Sequence, residues 1–430
     1  MYLVDRIRLE DFRQIRSEVR GSKDYLIVGI DVAKDKHNAF FGTPTGQTLL
    51  KRLVFKNDID GFNRLLNFVD AVKVKHGLEK EVFGLEPTAN YHKPLGEYLI
   101  NCCQRVVFVA GAAVKKNREM LNGRWDKNDT KDPANVADLI SQGKILFYDH
   151  PVLPLRDLRN LLSLMRRLKK QEHGIKVRIR NHLLAQYFPE FDRYFGQSES
   201  MGLSIVRWCL APKSIAGLEY DEFEHLVAPG NRLRASQRER LRTIWQKAAD
   251  SIGCEVGVAM DFEAKMMVES LKGVRDAIGV TKDKIKEVCL QFPEYIYLQT
   301  IPGFGPDVSA KVLAAIGNPF RFDNVRQVLK LSGWDLSASR SGKKSATVTP
   351  VISKKGKAGL RYALYQAAHV ASSFNQYFVM YLTNKLRGRE REKGIKTKMK
   401  VKLAAKMLVI AWTLMKKEEP FNPDFLNLDE

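Results

Sequence analysis

Cysteine is scarce in this chain: five in 430 residues (Cys102, Cys103, Cys209, Cys254 and Cys289), an odd number with no C-x-x-C pair. That excludes a disulfide frame and a cysteine-rich zinc site, and the five read as buried thiols of a reducing compartment. Long apolar runs are also missing. The start, MYLVDRIRLEDFRQIRSE, has the charge density of a surface helix rather than the apolar stretch of a secretory signal. The most apolar late stretch, Leu403 to Met415, is interrupted by Lys406 and is too short to span a bilayer. A membrane protein is excluded on this reading, and a cytoplasmic one is expected.

Negative charge is in short supply as well. Against 71 Lys and Arg stand 49 Asp and Glu, for a net charge of +22. Most of the excess falls in one place: between Lys330 and Lys402 there are 17 basic residues and three acids (Asp335, Glu390 and Glu392). A local field of that sign needs a polyanion against it, and nucleic acid is the usual one. With 44% hydrophobic and 28% charged residues the chain is otherwise ordinary for a globular protein, and general disorder is excluded.

The length suggests two to four domains. Residues 25–150 alternate strand and helix patterns. Tyr25 to Asp31 (YLIVGID), His37 to Gly42 and Leu49 to Phe55 read as three strands of an antiparallel meander. Helical periodicity follows over Ile59 to His76, then a short strand to Glu86, a helix from His92, a strand over Arg105 to Ala110 and a helix near Ala112 to Leu121. Together they predict a mixed sheet covered by helices. From Leu155 to Leu184 the pattern is one long helix with near-heptad spacing, and about Phe262 to Leu290 is a second that could run back antiparallel, as a stalk, a dimer arm or a plain helical subdomain. Residues 190–255 read as irregular. After Pro293, LQTIPGFGPDVSAKVLAAIG resembles a helix-hairpin-helix element gripping DNA backbone, or a simple helix–helix turn. Helical patterns occupy Val325 to Leu331, Leu360 to Val370 and Met399 to Met415.

Carboxylates mark the first region. Asp31 ends the first strand in GIDVAKDKH, and Glu86 ends a later one in FGLEP. A carboxylate at the C-terminal end of a strand points into the crevice where sheet enzymes hold ligands. WDKNDTKDPANVADLI adds Asp126, Asp129 and Asp132, the last two spaced to share one side of a helical turn. Each like-charge pair at 4 Å costs about 4 kcal/mol at an effective dielectric of 20, which divalent cations remove. All-oxygen ligation suits Mg²⁺ or Mn²⁺ rather than zinc, and a pair of such ions can serve both oxygens of a phosphodiester exchange. Taken singly, Asp129 and Asp132 also fit helix caps and Asp31 a turn.

The second informative segment runs from Leu331 to Leu364. Ser337, Ser339 and Ser341 sit among Arg340, Lys343 and Lys344, with Lys354, Lys355 and Arg361 downstream. Cations lower the cost of an alkoxide and of charge on an attacked phosphate, so the loop suits either a serine nucleophile or phosphate gripping with no covalent role.

GIDVAKDKH, GLEP, the D-x-x-D of Asp129 and Asp132, and the SG-loop followed by SKKGKAGLRYAL together resemble the DEDD transposases of the IS110 insertion-sequence family, to which Piv DNA invertases are also similar. The resemblance covers nearly the whole chain. It implies an α/β RuvC-like (RNase H-like) domain over 1–150, a long helical coiled-coil middle over 151–292 with an insertion at about 190–255, and a mainly α transposase domain over 293–430. It further implies a metal-binding tetrad of Asp31, Glu86, Asp129 and Asp132 for Mg²⁺ or Mn²⁺. Ser341 would be the nucleophile that joins DNA through a phosphoserine, with Ser339 its rival, and Arg340, Lys343, Lys344, Lys354, Lys355 and Arg361 would bind nucleic acid. The implied partners are donor and target DNA and a structured bridge RNA that pairs with both, with dimers assembling to a tetramer at the nucleoid. Pro133 stands where the family more often has alanine, and proline is compatible with a first helical turn. The same residues admit two other readings: a RuvC-type nuclease hydrolysing branched DNA, and a non-catalytic nucleic-acid scaffold.

Overall fold

The computed structural model of the chain describes residues 3–87, 89–122, 131–196, 199–208, 211–230, 233–337 and 351–426. Two compact units emerge, one from residues 1–153 with 317–327 and one from 154–316 with 328–430.

The first unit is a mixed α/β layer structure. Its elements in order are α1 (Leu3–Glu18), β1 (Tyr25–Asp31), β2 (Lys36–Gly42), β3 (Thr48–Lys56), α2 (Ile59–His76), β4 (Lys80–Leu85), α3 (His92–Asn101), β5 (Val106–Phe108), α4 (Gly111–Asn122), α5 (Lys131–Ser141) and β6 (Leu146–Phe147). The six strands lie in the order β3-β2-β1-β4-β5-β6. The expected meander is present, with β1–β2 and β2–β3 antiparallel, and β1–β4 and β4–β5 are parallel through helical crossovers.

Alternation along β1 assigns the two faces. Leu26, Val28 and Ile30 pack with Leu65 and Val69 of α2 and Leu95 and Leu99 of α3. Tyr25 and Ile27 point the other way, into a core with Ile15 of α1, Val114 of α4, and Val136 and Ile140 of α5. A strand buried on both faces needs the near-continuous apolar run that YLIVGID supplies. Helix α2 is punctuated locally: the Asp58 side chain accepts from the Gly61 N–H at 2.8 Å, and Gly77 closes the helix at φ 65°. The segment 317–327 belongs to this unit through Arg321 Nη1, 3.2 Å from Asp149 Oδ2, an Arg13–Asp323 ion pair and Arg6 stacked over the Phe320 ring.

The second unit is helical. The long helix α6 (Leu153–Arg178) runs straight through Gly174 and continues into a π-helical turn over Ile179–Leu184. The helix Val258–Cys289 returns antiparallel to it, since Glu172 pairs with Arg275 at 3.2 Å and His182 with Glu263 at 3.5 Å. Residues 190–255, expected to be irregular, instead form helices at Glu199–Trp208, Tyr220–Val227 and Ala235–Ala249. Their short apolar stripes fill one core with the long helices, including Phe188, Phe191, Ile205, Phe223, Leu241 and Leu271. Tertiary burial, not local propensity, makes these helices stable.

Beyond them, Pro293–Gln299 and Pro306–Ile316 are joined by a tight turn. Gly303 in that turn has φ 86°, and a Cβ there would lie 2.4 Å from the Ala367 carbonyl oxygen, so the glycine serves close packing onto the helix Ala358–Phe374. The unit closes with helices Gln376–Leu386 and Ile395–Lys417. No helix among the described residues is long and apolar enough to cross a membrane.

Among the described cysteines the expectation of burial holds for Cys289 alone. Of the others, Cys103 and Cys254 are exposed and Cys102 is partly so, because Cys102 and Cys103 lie in a turn and Cys254 in an irregular stretch ahead of the Val258–Cys289 helix. Cys209 lies outside the described residues.

Candidate active site

Two glycines set the site. Gly29 and Gly84 are neighbours across the parallel β1–β4 pair. A Cβ at Gly29 would lie 2.1 Å from the Pro133 carbonyl oxygen and 2.8 Å from the Ala137 nitrogen; at Gly84 it would meet Ile140 Cδ1 at 2.1 Å. Helix α5 therefore lies directly on the backbone of both strands, which only glycine permits. Side chains two residues apart on a strand share a face. Asp31 follows Gly29 by two residues and Glu86 follows Gly84 by two, so both carboxylates project to the α5 side at the C-terminal ends of adjacent parallel strands. The parallel ladder ends at Ile30–Leu85, one residue before each carboxylate.

Each carboxylate has local support. Asp31 still pairs with Asn38 in the β1–β2 ladder. The turn beyond it is closed by the Ala33 N–H donating to His37 Nδ1 at 3.2 Å and by Asn57 Nδ2 donating to the Lys34 carbonyl at 2.9 Å. His37 is fully buried against Phe55 and Phe62, and burial pushes its pKa below the usual imidazole value, which keeps the ring neutral. Glu86 sits against the start of α4: a Cβ on Gly111 would lie 2.7 Å from Glu86 Oε1. The positive end of that helix favours a carboxylate there.

Asp132 stands in the first turn of α5 and is only 2% exposed. Arg118 Nη2 lies 2.5 Å from its Oδ1, an ion pair that leaves this buried oxygen outside hydrogen-bond geometry. A second polar link fixes α5 to α4, as Asn117 Nδ2 donates to Asp138 Oδ2 at 2.8 Å and to Asn135 Oδ1 at 3.4 Å. Among the described residues no three Asp, Glu, His or Cys side chains gather closely enough to hold a metal ion. Asp129 lies outside the described residues.

The serine loop joins two short paired strands, Leu336–Ser337 and Val351–Ile352. Ser339, Ser341, Arg340, Lys343 and Lys344 lie outside the described residues. Downstream, Lys354 and Lys355 are exposed. Arg361 is turned inward: its Nη1 donates to the carbonyls of Ser332 at 2.8 Å, Lys354 at 3.2 Å and Gly356 at 3.3 Å, pinning the base of the loop. Ser353 Oγ donates to Asp335 Oδ1 at 2.5 Å from the same base.

Arg118, His37 and the glycines were not singled out from the sequence. The glycines left a readable trace, since GID and GLE each place glycine two residues before the carboxylate. The Arg118–Asp132 pair left none.

A DEDD transposase model matches residues 28–189, and a model described as "Transposase IS116/IS110/IS902 family" matches residues 296–382. Together they span more than half of the chain, and the chain belongs to the IS110 family of insertion-sequence transposases, enzymes that act on DNA. It is 23% identical over 332 residues to "Mini-circle putative transposase for IS117" of Streptomyces coelicolor, covering 74% of this chain and 78% of that relative. This membership sets aside the non-catalytic scaffold.

Proposed function

We propose that the chain cuts and rejoins DNA at a carboxylate centre of Asp31, Glu86, Asp129 and Asp132 that holds Mg²⁺ or Mn²⁺. The observation that carries this reading is the placement of Asp31 and Glu86 at the ends of adjacent parallel strands on which the helix bearing the buried Asp132 packs. The donor set is all oxygen, which suits a hard divalent cation, and the one buried member among the described residues, Asp132, already faces a cation in Arg118. A divalent cation there would neutralise the carboxylates and lower the cost of charge on the attacked phosphate and departing oxygen.

The chain's own part is to supply the nucleophile and hold the strands. In this reading Ser341 Oγ bonds to the phosphorus, the P–O bond to the sugar breaks, and the sugar oxygen takes up a proton. Attack by a hydroxyl of a second strand reverses the step and frees the serine, so no bond is hydrolysed overall. Ser339 is the rival nucleophile. Arg340, Lys343, Lys344, Lys354 and Lys355 would face the phosphates, and Arg361 would shape the loop.

Functionally the chain divides into a RuvC-like domain (1–150), a coiled-coil middle (151–292) and a transposase domain (293–430). A structured bridge RNA pairing with donor and target DNA would select sites, and dimers would pair into a tetramer in the cytoplasm at the nucleoid. The test uses end-labelled donor DNA with the full chain and its co-purified RNA. Wild type should yield a protein–DNA adduct that survives denaturation, Ser341→Ala none, and Asp31→Asn neither adduct nor cleavage. Normal cleavage by Ser341→Ala would remove the serine mechanism. Unchanged metal-dependent cleavage by Asp31→Asn would remove the carboxylate centre.

A further inference from the structure

A cleft of about 470 Å³ lies within the second unit, between α6, the Pro306–Ile316 helix and the start of the Ala358–Phe374 helix. Its cations are Arg159, Arg166, Lys169, Lys311 and Lys357, and among the described residues no carboxylate lines it. Three of the five are fixed to the walls. Arg159 Nε donates to the Ala314 carbonyl at 2.9 Å, Lys357 Nζ to the Ala315 carbonyl at 3.1 Å, and Lys311 pairs with Asp307 at 2.5 Å. The other two, Arg166 and Lys169, are exposed one helical turn apart on α6 and have no carboxylate partner among the described residues. At the rim stands Tyr362, 63% exposed, its hydroxyl accepting from Gln366 Nε2 at 2.9 Å.

Cations in excess over acids, on partly rigid arms, suit a regular polyanion. An exposed aromatic ring at the edge of such a groove suits an unpaired base, because every base has a face to stack and a duplex keeps its faces hidden. The volume falls in the range of ligand sites, large enough for a short run of strand rather than a bare ion. The first turn of the Ala358–Phe374 helix, which has no side-chain cap, opens on the same cleft and adds to its positive field.

The geometry points to this cleft as a cradle for an unpaired DNA strand, with Arg166 and Lys169 on its phosphates and Tyr362 under a base. The assignment to DNA rests on the reading of the chain as an enzyme that cuts and rejoins DNA strands. None of the residues lining the cleft is one of the candidate carboxylates or candidate serines.

The test is fluorescence anisotropy of the full chain with labelled oligo(dT), oligo(rU) and a duplex of equal length, across a salt series. Arg166→Ala/Lys169→Ala should weaken oligo(dT) binding and flatten the log–log salt slope by about 0.7 for each cation removed. Tyr362→Ala should weaken it at least about fivefold, Tyr362→Phe should restore it, and duplex affinity should move less. Photocrosslinking from bromodeoxyuridine should map to Tyr362. Unchanged oligo(dT) affinity in both alanine variants, or equal losses on duplex, would overturn the proposal. Tighter binding of oligo(rU) with the same dependence on Tyr362 would overturn the choice of DNA, and equal displacement by polyglutamate would overturn nucleic acid altogether. Adduct formation by wild type separates this outcome from the catalytic reading, since the adduct assay reports on Asp31 and Ser341 whether or not the cleft binds a strand.

Discussion

Replacing Gly29 with alanine tests the site with a single methyl group. The added Cβ would stand 2.1 Å from the Pro133 oxygen and 2.8 Å from the Ala137 nitrogen. Both are backbone atoms of α5, so no rotamer change relieves the contact. Reaching van der Waals distance moves the helix away from β1 by more than about 1 Å, and overpacking of this kind costs about 1–3 kcal/mol. Asp132 rides on the first turn of the same helix. A displacement of about 1 Å at a reacting centre is worth about 100-fold in rate.

Gly29→Ala should therefore lower the urea midpoint and reduce metal-dependent cleavage of donor DNA by about 10- to 100-fold at a temperature where it remains folded. Gly84→Ala is the graded comparison, because its Cβ meets the end of the flexible Ile140 side chain. It should lose less on both counts. Gly174→Ala, in open space on α6, should gain up to about 1 kcal/mol of stability and leave cleavage alone. Wild-type cleavage by a folded Gly29→Ala protein would refute the argument that α5 must sit on the strands for Asp132 to act.

Three further outcomes follow from the same geometry. Arg118→Ala leaves the Asp132 charge buried without its partner and should cost about 3 kcal/mol in a urea melt; a loss under about 1 kcal/mol would contradict the pairing. The His37 pKa is depressed in the folded state, so below about pH 6.5 the unfolded chain binds the proton in preference. Stability contributed by neutral His37 is thus full above about pH 6.5 and falls as the pH drops, by at most about 1.4 kcal/mol per pH unit, and His37→Phe should flatten that part of the curve. Burial pushes the Cys289 thiol up to about 12, so iodoacetamide followed by peptide mass spectrometry should label Cys103 and Cys254 while sparing Cys289 until the protein unfolds.

Much of the first unit was legible because its signals are local. YLIVGID is a β-branched apolar run between polar turns, and Ile59–His76 carries its own start at Asp58 and stop at Gly77. The carboxylates Asp31 and Glu86 were legible from their position at strand ends. Residues 190–255 were not, since their short helices exist only through a shared core with Ile179, Leu183 and Leu271 from distant chain. Arg118 was invisible for the same reason: 14 residues separate it from Asp132, and nothing in either neighbourhood announces the contact. The inward turn of Arg361 depends on carbonyls of Ser332 and Gly356, which a count of positive charge treats like any other surface cation.

The strap at 317–327 has an evolutionary corollary. Because Asp323 and Arg321 anchor it among the residues of the sheet-bearing unit, the polypeptide passes from one unit to the other three times. A single crossover between related genes cannot then exchange the units cleanly: any junction near residue 153 severs the strap from Arg13 and Asp149. Natural shuffling should have been suppressed at that seam, and chimaeras joined there should recover stability only when residues 317–327 are taken from the same parent as the sheet.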